Sequence, residues 1–331
     1  MKLPFYSGKG IQRSEGTGDL PSSRRSDLIQ PEKYRADPGL ADAANVALML
    51  GQPLLLTGEA GTGKTQFAYS LAWELKLDDP FKFETKSNSV ARDLFYTYDA
   101  LRRFQDAHSG SNPKNVLSYL TFQALGKAIL RTRSRDANKN FLPSDGIDGE
   151  RVRSVVLIDE IDKAPRDFPN DILNEIENMY FRIPEMDNDP IEADRDLAPL
   201  VVITSNSEKD LPEAFLRRCV YYNIPFPDKV WMRDIVNNRL GQFASGTTSF
   251  VDDAIDLFFK IRDTPAELRK KPSTAEMLGW MLALKDLSGG AENPLAQPEL
   301  ALRALSTLIK TTTDQEKARN TVETWVKARQ G

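Results

Sequence analysis

The sequence predicts an α/β protein, in which helices cover both faces of a central parallel sheet and a smaller all-helical domain follows. Three observations carry that expectation. Pro53–Leu56, Ser154–Ile158 and Leu200–Thr204 are short apolar runs bounded by turn residues, the mark of strands buried on both faces. Segments with apolar residues at helical spacing alternate with these runs. After Pro225 and Pro227 no further run of this kind occurs, and helical periodicity continues alone. With 331 residues the chain is also longer than a single core comfortably fills, so two domains are expected.

In chain order, residues 1–30 read as a flexible N-terminal arm, rich in Gly, Ser and charge with Phe5 and Tyr6 as bulky anchors. A core domain is expected over 31–227 and a helical one over 228–331. Ala43, Val46, Ala47 and Leu50 follow helical spacing, which predicts a helix over Asp42–Met49 that stops at Gly51. Phe67, Leu71 and Leu75 mark a helix over Gln66–Leu77, and another is expected over Phe168–Met179. In the last domain Met277, Met281, Leu284 and Leu287 line one helical face, and Ala301, Leu305 and Leu308 line another.

Composition narrows the function classes. A net charge of −4 argues against a protein whose main task is to coat nucleic acid. One cysteine, Cys219, cannot form an internal disulfide, and one histidine leaves no Cys/His set for zinc, so a reducing, cytoplasmic setting is expected. The N-terminus lacks the apolar core of a signal peptide, and no run approaches the roughly 18 apolar residues of a membrane helix, so no membrane insertion is expected. His108 sits in QDAHSGSNP, which reads as a loop, with no partner that would make it a catalytic base.

The chemistry is concentrated in a few motifs. Gly58-Glu59-Ala60-Gly61-Thr62-Gly63-Lys64-Thr65 has the glycines, lysine and hydroxyl of a phosphate loop, placed between a buried strand and a helix that opens with Gln66. Its glycines let successive N–H groups point inward as an anion nest at a helix N-terminus. Lys64 is then expected to bridge the β- and γ-phosphates of ATP, and Thr65 to ligate Mg²⁺. The strand Ser154–Ile158 ends in Asp159-Glu160, where Asp159 would hold the metal through water and Glu160 would orient or deprotonate the attacking water. A third strand ends at Asn206, a candidate for placing that water, although Asn at a strand exit is also a common turn residue. Arg217 and Arg218 follow, either as solvated arginines at a helix end or as a charge delivered across a subunit boundary to the γ-phosphate.

The order of this phosphate loop, LIDEIDKA, ITSN and AFLRRC resembles AAA+ ATPases, and within them the MoxR branch. The resemblance covers residues 31–285 and extends to PLLLTGE at 53–59, ARDLFYTYDA at 91–100, and Pro272-Ser273-Thr274 with Trp280. It implies a three-layer αβα P-loop fold with a helical lid. It assigns Lys64 and Thr65 to Walker A, Asp159 and Glu160 to Walker B, Asn206 to the first sensor and Arg218 to the arginine finger, with Arg217 beside it. It further implies a homo-oligomeric ring, a hexamer in such proteins, that remodels a protein client, commonly with a partner bearing a von Willebrand factor A domain.

One departure is Ala275, where many relatives carry a second-sensor arginine; Arg269, Lys270 and Lys271 are nearby substitutes. Insertions facing the substrate side of such a ring are expected near 85–100 and 184–199. In the first, Phe95, Tyr96 and Tyr98 are either grip residues or core; the second, with Glu185, Asp187, Asp189, Glu192, Asp194 and Asp196, is either a contact for a basic partner or a solvated loop. A nucleotide-controlled switch in a signalling or defence assembly is the alternative function. A nucleic-acid motor is a third reading, disfavoured by the acidic charge.

Overall fold

The computed structural model describes residues 29–108, 115–139, 141, 151–207, 211–241, 248–289 and 291–330. Apart from Ile29 and Gln30, the arm expected over 1–30 lies outside the described residues. Nine strands are described: β1 Leu54–Thr57, β2 Phe81–Glu84, β3 Tyr96–Tyr98, β4 Leu120–Phe122, β5 Val155–Asp159, β6 Tyr180–Phe181, β7 Ile191–Glu192, β8 Leu200–Thr204 and β9 Val220–Asn223. Five of them form one parallel sheet in the order β2-β5-β8-β1-β9.

The three strands expected from the sequence are the interior ones. Every residue of β1 and β5 is buried, as is all of β8 except Leu200, because helices cover both faces. The edge strands β2 and β9 were not expected. Their residues alternate between half-buried and exposed, so FKFE and VYYN carry no continuous apolar run.

Several helices differ from expectation at their ends, each for a local reason. The first spans Pro38–Leu50 and not Asp42–Met49, because Asp37 caps it by accepting from the Leu40 N–H and Pro38 occupies the first turn. It stops where Gly51 turns left-handed at φ 64°. The helix expected over Gln66–Leu77 spans Lys64–Glu74, with Lys76 beyond it at φ 56°. The one expected over Phe168–Met179 is two pieces, Phe168–Asp171 and Leu173–Asn178, since Ile172 at φ −94° and ψ −4° breaks the repeat. Gln105–His108, expected in a loop, belongs to the helix Ala100–His108, and the His108 ring nitrogen Nδ1 lies 2.9 Å from the Phe104 carbonyl.

Each of the two stretches expected as insertions contributes one strand to a short antiparallel pair. Tyr96 faces Phe122 across β3–β4, and Phe181 faces Ile191 across β6–β7. Phe95 and Tyr96 are core, packed against the ring of Phe181, whereas Tyr98 is half-buried. The acidic stretch 184–199 is more structured than a solvated loop. Glu185 accepts from the Tyr96 hydroxyl at 2.7 Å, Asp194 pairs with Arg151 at 2.6 Å, and Ile191 is buried.

Two compact units divide the chain. One comprises Ala36–Glu59 and Lys64–Pro225; the other comprises Phe226–Gly331, the segment ending at Arg35, and Ala60–Gly63. The core of the first includes Leu55, Leu125, Ile129, Val156, Ile158 and Phe215. In the second, described residues after Phe226 form helices and turns, with no strand, around Phe250, Phe258, Met277, Trp280, Met281, Leu284 and Val322. Leu287 is only partly buried against that core. No helix among the described residues is long and apolar enough to cross a membrane.

Trp280 is fully buried, yet its indole N–H has no hydrogen-bond partner among the described residues. Trp280→Ala is expected to cost about 3–5 kcal/mol of stability through lost burial and a cavity. Trp280→Phe should cost less than about 2 kcal/mol, because it removes an unsatisfied donor together with the area. Denaturant midpoints of the two variants check the order.

Candidate nucleotide site

β1 ends at Thr57, and a loop over 58–63 leads into the helix Lys64–Glu74. Gly58, Gly61 and Gly63 adopt φ values of 136°, 78° and 95°, a region that side chains with a Cβ avoid. Glu59, Ala60 and Gly61 are exposed, while Thr62, Gly63, Thr65 and Gln66 are half-buried. The buried Lys64 ammonium donates to the Gly58 and Glu59 carbonyls at 2.8 and 2.9 Å. Burial lowers its pKa, an effect partly offset by the carboxylates of Asp162, Asp159, Glu160 and Glu59.

Asp159 ends β5 between β2 and β8. Its Oδ1 accepts from the Thr65 hydroxyl at 2.9 Å, across 94 positions of sequence, and from the Thr204 hydroxyl at 2.7 Å. Its Oδ2 lies 3.0 Å from the Lys82 ammonium. Burial disfavours the charged form, but hydrogen bonds from Thr204, Lys82 and Thr65 outweigh it and hold the carboxyl below its ordinary range. Asp159 is therefore ionised at neutral pH.

Glu160 follows in a left-handed conformation at φ 57°, which turns its side chain out of the β5 ladder. Its N–H donates to the Thr204 hydroxyl at 2.9 Å, and its half-exposed carboxylate pairs with Lys163. Asn206 leaves β8 next door and is exposed; its N–H donates to Asp162 Oδ1 at 3.1 Å. Thr204 thus contacts both acidic residues at the end of β5. Sequence reading gave it no role, although a hydroxyl at a strand exit was a visible signal.

Lys64, Thr65 and Asp159 come together, with Glu160 and Asn206 at the neighbouring strand ends. Arg217 and Arg218 have other partners in the same chain. Arg217 pairs with Glu213, and Arg218 Nε lies 3.1 Å from Glu177 Oε2, with about half of each Arg218–Glu177 side chain exposed. Burial pushes the adjacent Cys219 thiol up to about 12, so it is no nucleophile at neutral pH. Ala275 is exposed at the start of the helix Thr274–Leu287, and Arg269, Lys270 and Lys271 are exposed too.

The donor set suits a magnesium nucleotide. Mg²⁺ takes one or two protein oxygens and completes its shell with phosphate and water, and Thr65 with Asp159 supplies such oxygens. Among the described residues no group of three or more His, Cys, Asp or Glu side chains could hold a metal by itself. The buried Gln66 Oε1 has no hydrogen-bond partner among the described residues. A cavity of about 790 Å³ lies at the opposite end of the strands, lined by Met49, Pro53, Glu177, Pro199 and Leu200, and includes none of the loop residues. Parallel sheets bind ligands at the C-terminal ends of their strands, the end at which the loop stands and this cavity does not.

A family model described as "ATPase family associated with various cellular activities (AAA)" matches residues 54–226. Among solved structures, a proline-to-glycine mutant of Thermotoga maritima RuvB shares 15% identity at a TM-score of 0.48, covering 84% of this chain and 72% of that one. The structure titled Thermotoga maritima RuvB Holliday junction branch migration motor shares 16% identity at a TM-score of 0.43, covering 81% of this chain and 66% of that one. Likenesses this distant carry no argument about function. No curated protein matches the chain.

Proposed function

The chain belongs to the AAA family of ATPases, and on that premise we propose that it hydrolyses ATP between the subunits of a homo-oligomeric ring to remodel a protein client, as MoxR-type proteins do. The observation that carries the reading is the contact of Thr65 with Asp159, beside a lysine held against the phosphate-loop carbonyls. On binding nucleotide, Lys64 exchanges its two carbonyl acceptors for phosphate oxygens. Thr65 and Asp159 are the residues that would hold Mg²⁺, which would supply charge neutralisation for phosphoryl transfer. Glu160, released from Lys163, takes a proton from the attacking water while Asn206 orients that water. Arg218, exposed and held by Glu177 in its own chain, is proposed to act on a neighbour's ATP.

The MoxR assignment, the hexamer and the partner with a von Willebrand factor A domain rest on the motif resemblance. A second reading, a slow nucleotide-controlled switch, draws on Ala275, which cannot carry a lid charge to the phosphates. A nucleic-acid motor is the least favoured, given the net charge of −4. With Mg²⁺ present, the motor reading predicts steady-state turnover on the order of 1 s⁻¹ or faster per chain. A rate below about 0.01 s⁻¹ would favour the switch, and strong stimulation by DNA would replace the protein client with nucleic acid.

A further inference from the structure

Lys82 is a lysine on an edge strand with its charge turned toward the candidate site. Its ammonium stands 3.0 Å from Asp159 Oδ2 and 2.7 Å from Glu84 Oε1, with 29% of the side chain exposed. The sheet register explains the arrangement. Lys82 pairs with Leu157 and Glu84 with Asp159, so Lys82, Glu84 and Asp159 share one face at the C-terminal ends of β2 and β5. The two oxygens of Asp159 are thereby divided: Oδ1 takes the hydroxyls of Thr65 and Thr204, and Oδ2 takes the lysine.

We propose that Lys82 is a positioning residue, the built-in counter-cation of Asp159, which fixes the carboxylate's rotation before nucleotide binds and opposes the metal's charge at that carboxylate. The proposal rests on reading the loop as a magnesium-nucleotide site. A carboxylate rotates through a broad, two-fold torsion, and the hydroxyls on Oδ1 leave Oδ2 to be held by a third donor. A lysine suits the position better than an arginine, because a compact ammonium on a flexible stem can keep Glu84 while it yields Asp159. Glu84, 70% exposed, serves as the alternative acceptor. The balance between the two carboxylates sets how readily Asp159 is freed.

The test is binding of a fluorescent ATP analogue, measured in EDTA and across a Mg²⁺ titration. Lys82→Met keeps the stem and removes the charge; it should leave metal-free affinity within about twofold and lower the half-saturating Mg²⁺ about five- to tenfold. Glu84→Gln drives Lys82 onto Asp159, so it should raise the half-saturating Mg²⁺ about two- to threefold. Lys82→Arg, whose planar fork yields Asp159 less readily, should raise the half-saturating Mg²⁺ about two- to threefold. Shifts of opposite sign in the first two variants support the proposal. Unchanged half-saturation in both, or shifts of the same sign, overturn it, and the exposed Glu84 variant keeps the test valid if Lys82→Met folds poorly. Absence of Mg²⁺-dependent nucleotide binding in the wild type would instead overturn the site reading, and this inference with it.

Discussion

Glu160→Gln is expected to lower the steady-state ATPase rate about 10²- to 10⁴-fold, the range typical of losing a general base, while ATP affinity stays within a few-fold. The geometry separates position from chemistry. The backbone at Glu160 is fixed by its N–H bond to Thr204, so an isosteric amide should occupy the same place. What is lost is a basic oxygen and the pairing with Lys163, a half-exposed contact that contributes little to stability. Bound ATP should therefore persist unhydrolysed and hold subunits together. Turnover assays with retention of labelled ATP check both halves, and an unchanged rate would remove Glu160 as the base.

Lys64→Ala should weaken ATP binding by about 100-fold or more, since two charge-assisted contacts to phosphate are each worth about 1.5–3 kcal/mol. The variant also leaves the Gly58 and Glu59 carbonyls without their lysine donor. Calorimetric titration with ATP, beside a thermal melt of the apo variant, distinguishes lost affinity from lost fold. Retained affinity in a folded variant would mean that the phosphates are held elsewhere.

The interior of the sheet was legible in the sequence because burial on both faces writes a strand as an apolar run, as LLL, VVLI and VVIT do here. The αβα class followed from those runs, and the five-stranded parallel sheet bears it out. The edges were not legible. Phe81–Glu84 and Val220–Asn223 mix charge and amide among aromatics, since each packs only in part against the core. Missing β2 hid Lys82, whose relevance comes from a register no local pattern encodes. The strand, loop and helix around residues 58–65 were legible because a glycine-rich turn stands between an apolar run and a helical repeat, and the end of β5 because an acidic pair follows its apolar run. Thr204 was not, because a hydroxyl in ITSN reads as strand until its two acidic neighbours are placed around it. The structured stretch after Pro184 was likewise set by tertiary contacts, above all Tyr96 with Glu185 and Phe181 with Ile191.

Hydrolysis of each ATP with help from a neighbouring copy is tested most directly by mixing two inactive variants. Arg218→Ala keeps its own Glu160, and Glu160→Gln keeps its own Arg218, so a mixed ring contains interfaces with both groups intact. The two proteins are combined before assembly, and ATPase is compared with each alone. Turnover that returns in the mixture and is absent from both parents is the predicted result; a mixture that co-assembles yet stays as inactive as its parents would contradict a site completed between subunits.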